Sequence, residues 1–351
     1  MWANGEVSRL LEDLGARCPI VQAPMAGAGG VALAIAAMRG GAMGSLPCAL
    51  LTPEQIVSQV AEVRAVASGP LNLNFFCHTL PEPPDESAWR ALLAPYYAEE
   101  GVKPGPAPPL RRPFDDAACV VVEAVRPEVV SFHFGLPEAG LLARVRASGA
   151  KIFGNATHAA ELHWLAAHRV DAVIAQGTEA GGHSGWFLDR HQPMPLAELL
   201  GEEPGVPVIA AGGIVDGAGI AAVLRAGASG VQIGTAYLAS PESLISGAFR
   251  ALLGTDAASD AAFTNLLSGR EARGIRNRLM RELGPIRAEA PVFPYASNAL
   301  APLRAHAEAD GRGDYSPLWA GSGAARVRAM GGQALTEMLA AEARALLEEA
   351  A

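Results

Sequence analysis

The chain has 351 residues, of which 50% are hydrophobic, 18% charged and 6% aromatic, with a formal net charge of −9. This length and apolar content support a large hydrophobic core and exclude a disordered chain. No apolar run reaches the roughly 18 residues of a membrane span, and the first residues lack the basic and then apolar pattern of a signal peptide. Because the net charge is −9 without an acidic or basic block, we expect no nucleic-acid partner, and because no apolar run is long enough for a span, we expect no membrane partner.

The four cysteines, Cys18, Cys48, Cys77 and Cys119, are widely spaced and form no CxxC pair. Neither a zinc cluster nor a disulfide framework fits this spacing in a chain of this size. We therefore interpret them as small buried hydrophobic residues and expect no metal site. The pattern indicates a reducing compartment, so a cytoplasmic protein is expected.

Short apolar runs punctuated by glycine and proline recur along the chain and predict eight buried strands. The predicted strands are 20–23, 41–44, 71–75, 129–134, 151–154, 172–175, 208–211 and 230–233. The predicted helices between them are 32–39, 53–68, 139–147, 159–167 and 218–226. Eight strand–helix alternations over roughly 235 residues predict an α/β fold, the parallel (β/α)8 TIM barrel. A doubly wound open sheet is the alternative.

Two stretches interrupt this alternation. Residues 81–113 contain nine prolines and predict a long excursion between the third and fourth strands. Helical patterns at 244–253 and 257–267 follow the eighth strand and predict a small inserted helical domain that could cover the strand ends. The predicted domains are a barrel over 1–239, a helical lid over 240–332 and a closing barrel helix over 333–351.

A glycine-rich loop that carries a single histidine directly follows the sixth strand. Four glycines lie within residues 176–185, and two of them, Gly181 and Gly182, precede His183. Glycine lets backbone N–H groups approach a flat or anionic ligand closely, and the active sites of barrel enzymes lie at this end of the strands. We therefore predict that His183 is catalytic, donating a hydrogen bond to a developing anion or taking a proton from carbon. A structural histidine is the alternative.

The seventh and eighth predicted strands both end in glycine, and many barrels bind phosphate between these two loops. A helix that begins near Gly217 is expected to offer free N–H groups and a positive dipole end. The pattern predicts a phosphate ligand, for which flavin mononucleotide and a sugar phosphate both fit, unless the glycines only allow close strand–helix packing. The residues concerned are Gly212, Gly213, Gln232, Ile233, Gly234 and Thr235.

Further candidate contacts lie at the ends of the first, third and fourth strands. The first strand ends in small residues, at 23–26, against which a planar ring could lie. The third strand places Asn72 and Asn74 on one face, and a buried asparagine must hydrogen-bond either a ligand or a neighbouring backbone group. His133, on the fourth strand, suits a core or site-lining position as well as it suits catalysis.

Taken together, these motifs resemble those of the nitronate monooxygenase family, formerly called 2-nitropropane dioxygenases. The resemblance covers roughly residues 10–240, and its last three motifs also occur in flavin-dependent enoyl-acyl-carrier-protein reductases. The Asn-Phe-Phe-Cys-His run favours the nitronate family. The matching runs are Gln22-Ala23-Pro24-Met25-Ala26-Gly27, Asn74-Phe75-Phe76-Cys77-His78, the loop 176–185, Ala211-Gly212-Gly213-Ile214 and Gln232-Ile233-Gly234-Thr235.

The resemblance implies an FMN-containing barrel that oxidises alkyl nitronates, and by extension nitroalkanes, with O2 to a carbonyl compound and nitrite. The implied partners are a small-molecule nitronate and O2, and a homodimer is left open. His183 is implied as the catalytic residue, with His133 and Ser322 lining the substrate site. The implied FMN contacts are Ala23, Pro24, Met25, Ala26, Asn74, Gln176, Gly181, Gly182, Gly212, Gly213, Gln232, Ile233, Gly234 and Thr235.

Two departures from the family pattern concern the substrate. Ser322 stands where members often carry glutamine, and no lysine follows Lys151, so a cationic substrate contact from the inserted segment would be an arginine such as Arg304. Two other functions stay open beside the leading one. One is an FMN enzyme that consumes NAD(P)H, and the other is a flavin-free barrel that acts on a phosphorylated substrate as a lyase or isomerase.

Overall fold

The computed structural model of the protein describes residues 9–106 and 109–349. Its strands are β1 (Ile20–Gln22), β2 (Gly44–Pro47), β3 (Leu71–Phe76), β4 (Val129–His133), β5 (Lys151–Ala156), β6 (Ala172–Gln176), β7 (Gly182–His183), β8 (Val208–Ala211), β9 (Gly230–Ile233), β10 (Ala261–Thr264) and β11 (Ala272–Ile275). Its α-helices are α1 (Leu10–Asp13), α2 (Val31–Gly40), α3 (Pro53–Val66), α4 (Ser87–Glu99), α5 (Asp116–Val125), α6 (Ala139–Ala147), α7 (Ala159–Ala167), α8 (Leu196–Leu199), α9 (Gly217–Arg225), α10 (Thr235–Leu238), α11 (Gly247–Leu252), α12 (Arg278–Leu283), α13 (Ala296–Ala309) and α14 (Gly332–Glu348).

Eight of these strands form one parallel sheet in the order β1-β9-β8-β6-β5-β4-β3-β2. Val21 of β1 also forms a parallel bridge with Met43, one residue before β2, so the two ends of the sheet meet. All residues of β1, β3 and β6 are buried, as expected for parallel strands with helices on the outside and packed side chains within. The prediction of a (β/α)8 TIM barrel is confirmed.

Local sequence signals set the ends of several helices. Thr52 caps α3: its hydroxyl oxygen accepts from the Gln55 N–H, and the Gln55 side chain accepts from the Thr52 N–H. Gly41 follows α2 with a φ of +105°, which glycine adopts without steric cost. The strand predicted at 41–44 is therefore misplaced, because Gly41 belongs to the helix cap and β2 starts only at Gly44.

The segment 240–332, predicted to be helical, combines helices with a β-hairpin. The helix predicted at 257–267 is wrong, because β10 lies there and pairs antiparallel with β11. β11 also pairs antiparallel with β7, so the hairpin is joined to the loop that carries His183. The proposed domain boundaries stay predictions, and their outermost residues, 1–8 and 350–351, lie outside the described residues.

The proline-rich excursion and the last helix both pack on this framework. α4, within the excursion, contacts α13, and the buried Trp89 donates its indole N–H to the carbonyl oxygen of Ala296 at 3.2 Å. α14 packs against α9 and α2, which places it in the outer helical layer between the last and the first barrel units. Within the described part of the chain, the helices are too short or too polar to cross a membrane.

Candidate active site

A cavity of about 380 Å³ lies at the carboxyl ends of the barrel strands. Its volume falls within the roughly 300–1,000 Å³ that ligand and cofactor sites usually occupy. The parallel strands bring residues from distant parts of the chain to this one edge of the sheet. The predicted site residues that line the cavity are Ala23, Pro24, Met25, Ala26, Asn74, His133, Gln176, Gly181, Gly182, His183, Gly212, Gly213, Gln232, Gly234 and Thr235.

Two predicted site residues do not line this cavity. The Ile233 side chain is 1% exposed and packs in the barrel core, and its carbonyl oxygen accepts from the Ala23 N–H. Ser322 is exposed and lies behind Gly213: a Cβ added to that glycine would meet the Ser322 hydroxyl oxygen at 3.0 Å. Their proposed roles stay predictions.

The backbone of His183 is fixed by pairing and by two side chains. As part of β7 it pairs with Ala272 of β11. Its carbonyl oxygen accepts from Gln176 Nε2 at 2.8 Å and from His133 Nε2 at 3.2 Å. These bonds hold the loop after β6 in a single position over the barrel mouth, as a catalytic side chain requires.

The bonding pattern assigns the proton on the His183 ring. Nε2 lies 2.9 Å from the hydroxyl oxygen of Ser268, and that hydroxyl donates to the carbonyl oxygen of Arg270 at 3.2 Å. Both contacts are satisfied when Nε2 carries the hydrogen and Ser268 accepts it. Nδ1, which no described residue bonds, is then the nitrogen with a free lone pair. The ring is thus set to accept a proton rather than to donate one.

The surroundings of His183 keep its ring neutral. Burial lowers the pKa of His183 well below its usual range, and Arg111, His133 and Arg270 lower it further. Burial also lowers the pKa of His133 to about 3 and that of His78 to about 4. An apolar environment and nearby positive charge both disfavour the imidazolium form. All three imidazoles are therefore uncharged at neutral pH.

Two loops meet backbone to backbone beside the glycine turns. A Cβ added to Gly181 would lie 2.5 Å from backbone atoms of Ala320 and Gly321, so only glycine fits there. The Gly321 N–H donates to Thr235 Oγ1 at 3.0 Å. Gly213 has a φ of +69°, in the left-handed region that glycine tolerates. This packing leaves the backbone at the ends of β8 and β9 against the cavity, where an anion could bind.

The N-terminus of α9 is not free, contrary to the expectation from sequence. An Asp216 carboxylate oxygen accepts from the Gly219 N–H at 2.8 Å, and a Glu342 oxygen accepts from the Gly217 N–H at 3.0 Å. Two carboxylates therefore occupy the end of this helix. A phosphate at this side of the cavity must be held by the glycine turns and Thr235 instead.

The polar side chains of the cavity differ in whether their hydrogen-bonding atoms have partners within the protein. The amide nitrogen of Asn74 donates to the hydroxyl and carbonyl oxygens of Ser131, at 2.9 and 3.3 Å. Gln176 also accepts, through Oε1, from Asn155 and Gly185. In contrast, Gln232 Oε1 is buried and has no partner among the described residues.

A buried acceptor without a partner is destabilising unless a ligand reaches it. The unpaired Gln232 oxygen therefore favours a ligand with N–H or O–H groups. The small residues 23–26 leave room for a planar ring, and the glycine turns offer backbone groups to a phosphate. Together with the Gln232 oxygen they favour a planar heterocycle with an attached phosphate. The residues present fit such a group.

Sequence reasoning missed several residues that surround His183. Arg111 lines the cavity from the proline-rich excursion, which was predicted only as a connection. Ser268 and Phe293 come from the inserted segment, and the Phe293 ring lies 5.3 Å from that of His183. The Trp319 ring lies 5.6 Å from the His183 ring. Nothing in the Arg111-Arg112 pair itself indicates which arginine faces the cavity.

Comparison with known proteins finds relatives that match nearly the whole chain. The family model described as nitronate monooxygenase matches residues 8–340. Nitronate monooxygenase from Paraburkholderia phytofirmans is 39% identical over 97% of this chain and 96% of its own length. Nitronate monooxygenase from Pseudomonas aeruginosa is 37% identical over 96% of this chain and 99% of its own length. The solved structure of nitroalkane oxidase from Streptomyces ansochromogenes has a TM-score of 0.89 at 35% identity and covers 98% of this chain and 100% of that one.

Proposed function

The chain belongs to the nitronate monooxygenase family, a family of flavin-dependent oxidoreductases, and from this we propose that it oxidises alkyl nitronates with O2 to a carbonyl compound and nitrite. Nitroalkanes are proposed as substrates once they have lost a proton from carbon. The observation that carries the proposal is the neutral His183, which lines the cavity with its Nε2 held by Ser268. FMN is the proposed cofactor.

The residues that would hold FMN are those that the cavity brings together. Its ring would lie against residues 23–26, with Gln232 Oε1 as an acceptor for one of its N–H or O–H groups. Its phosphate would sit at Gly213 and Thr235, where glycine turns and a hydroxyl face the cavity. When bound, FMN accepts the electrons of the substrate and passes them to O2.

His183 would act on the substrate through Nδ1. A neutral imidazole can take the proton from the carbon beside a nitro group, leaving the nitronate anion. Because burial lowers the pKa of His183, and Arg111 and Arg270 lower it further, the ring is a weak base and deprotonation is the demanding step. A substrate that arrives as a nitronate needs no such step. We therefore expect faster turnover of nitronates than of nitroalkanes.

The absorbance of the purified protein separates the proposed function from its alternatives. Bound FMN gives a band near ~450 nm, which a flavin-free lyase or isomerase lacks. Under anaerobic conditions, propyl-2-nitronate should bleach this band and NADH should leave it unchanged. Bleaching by NADH alone would support a reductase instead. A colourless protein that does not take up FMN would refute the flavin proposal.

His183→Asn tests the catalytic residue. The variant should retain FMN and lose about 10²- to 10⁴-fold of its turnover with nitroethane, the usual effect of removing a catalytic acid or base. His163→Asn is the matched control, since His163 is exposed, pairs with Glu202 at 3.1 Å and is not among the residues that line the cavity. Full activity of His183→Asn with nitroethane would remove His183 from the mechanism.

A further inference from the structure

Arg111 lines the cavity, and its charge has no partner within residues 9–106 and 109–349. Among the described residues, none accepts a hydrogen bond from its guanidinium or forms an ion pair with it, and its Nε atom is buried. The guanidinium carbon stands 5.8 Å from the ring centroid of Phe293, which also neighbours His183. The backbone of Arg111 is anchored, since its carbonyl oxygen lies 3.2 Å from His78 Nε2. The side chain therefore lies at the site with guanidinium N–H groups that are available to a ligand.

Two other arginines near the site differ from Arg111. Arg304 lines the cavity, but its Nε donates to a Glu308 carboxylate oxygen at 2.8 Å. Arg270 does not line the cavity: its guanidinium lies between the rings of Phe134 and Trp186, at 4.2 and 4.1 Å, and donates to the Trp186 carbonyl oxygen, and its buried Nε has no partner among the described residues. His133 and His183 are neutral, and Arg304 is paired with Glu308. Among the described residues that line the cavity, Arg111 is therefore the one whose charge is not balanced by a neighbour.

Arg111 enters from the side of the barrel that faces the glycine turns. The Phe114 N–H donates to the carbonyl oxygen of Phe76 at 2.7 Å, which ties this segment to the end of β3. Three strands separate β3 from β8 in either direction around the closed sheet. The arginine is thus placed across the mouth from the proposed phosphate position, beside His183. A substrate, rather than the phosphate of the cofactor, is the anion that can reach it.

We propose that Arg111 binds the two oxygens of the nitronate group and makes the site selective for the anion over the neutral nitroalkane, an inference that rests on the function proposed above. A guanidinium matches a planar anion with two oxygens through parallel, charge-assisted hydrogen bonds. The only N–H of the neutral His183 ring is directed to Ser268, so that ring has no hydrogen to offer the oxygens. Arg111 is the donor that the site provides.

Arg111→Gln and Arg111→Lys test this assignment, with Arg112→Gln as the matched control. Arg112 is the adjacent residue, but its side chain is exposed and lies 3.4 Å from Asp115. In Arg111→Gln we expect KM for propyl-2-nitronate to rise about 10- to 100-fold, because a hydrogen bond to a charged group is lost. With nitroethane, which is neutral until it is deprotonated, the loss should fall on kcat instead. Arg111→Lys should recover part of both.

Two further readouts separate substrate binding from a purely structural role. Nitrate, a planar oxyanion that does not react, should perturb the flavin spectrum of the wild type and bind Arg111→Gln about 10- to 100-fold more weakly. The acid limb of the nitroethane kcat/KM profile should move to higher pH in Arg111→Gln, since removing a positive neighbour raises the pKa of His183. Arg111→Lys should leave that limb in place.

Equal binding of nitrate and nitronate by Arg111→Gln and Arg112→Gln would overturn the inference. Loss of FMN from Arg111→Gln would also overturn it, by making Arg111 a cofactor contact. Failure of the proposed function has a different result. A wild-type protein that binds nitrate through Arg111 but consumes no nitronate would refute the function and leave the anion site standing.

Discussion

Replacing Ser268 with alanine tests whether a single tautomer of His183 is needed for proton abstraction. Ser268 is 1% exposed, and its hydroxyl oxygen lies 2.9 Å from His183 Nε2. The substitution removes the acceptor of the ring N–H and the donor to the Arg270 carbonyl oxygen. The ring can then place its hydrogen on Nδ1, where it blocks the nitrogen that would take the substrate proton.

The size of the effect follows from the hydrogen bond that is lost. Leaving a buried N–H without its acceptor costs about 1–3 kcal/mol. If that stabilisation favours the reactive tautomer, its loss lowers kcat/KM for nitroethane by about 5- to 150-fold. Propyl-2-nitronate is already deprotonated, so its kcat/KM should fall much less. The ratio of the two losses is the quantity that identifies the tautomer effect.

The assay is steady-state oxygen consumption with both substrates, accompanied by the flavin-to-protein absorbance ratio and the thermal midpoint. Ser184→Ala is the control, because Ser184 is buried beside His183 in the chain but its hydroxyl oxygen has no partner among the described residues. We expect this variant to stay within about twofold of the wild type. The reasoning is refuted if Ser268→Ala matches Ser184→Ala, or if both substrates lose activity equally.

Two further predictions concern the cofactor loops and the pH dependence of stability. Gly181→Ala should lower both the flavin-to-protein ratio and the thermal midpoint more than Gly182→Ala does. A Cβ at position 181 would lie 2.5 Å from backbone atoms of the neighbouring loop. A Cβ at position 182 would have no described atom within 4 Å, so that variant carries only the strain of a φ of +78°. Equal losses would show that the contact between the two loops does not matter. His78 and His133 have folded-state pKa values of about 4 and 3, below the roughly 6.5 of the unfolded chain, so the unfolded state binds more protons in that window. The free energy of unfolding should therefore fall as the pH drops below about 6.5, by up to about 1.4 kcal/mol per pH unit for each histidine. Urea unfolding at several pH values measures this slope, and His78→Asn should reduce it. A free energy of unfolding that does not change with pH would contradict the prediction.

The barrel could be predicted from sequence because its signals are local. Most of the barrel strands are short, largely apolar runs, and several helices carry a local cap signal, as Thr52 and Pro53 show for α3. Parallel strands bring their carboxyl ends together, and residues such as Asn74 and Gly213 accordingly line one cavity. The placement of β2 failed where a local signal was ambiguous, since the glycine that ends α2 also precedes a strand.

The parts that sequence could not provide depend on contacts between distant segments. The β10–β11 hairpin finds its third strand in β7, and the Ser268–His183 bond spans 85 residues. Four-residue strands that alternate weakly carry little signal of their own. The same holds for the closure of the α9 N-terminus by Glu342, whose side chain comes from the last helix. Such partners are set by how the elements pack.

The neutral His183 and the unpaired Arg111 constrain each other. Burial is the largest cause of the lowered pKa of His183, and Arg111 lowers it further, so the cation proposed to bind the substrate anion also weakens the neighbouring base. For a nitroalkane, the weaker base opposes deprotonation while hydrogen bonds from Arg111 to the forming nitronate favour it, and we expect the hydrogen bonds to dominate. A nitronate needs no base, so the low pKa of His183 does not slow its turnover, while Arg111 would still bind its oxygens. The charge arrangement around this cavity therefore suits a substrate that arrives already ionised.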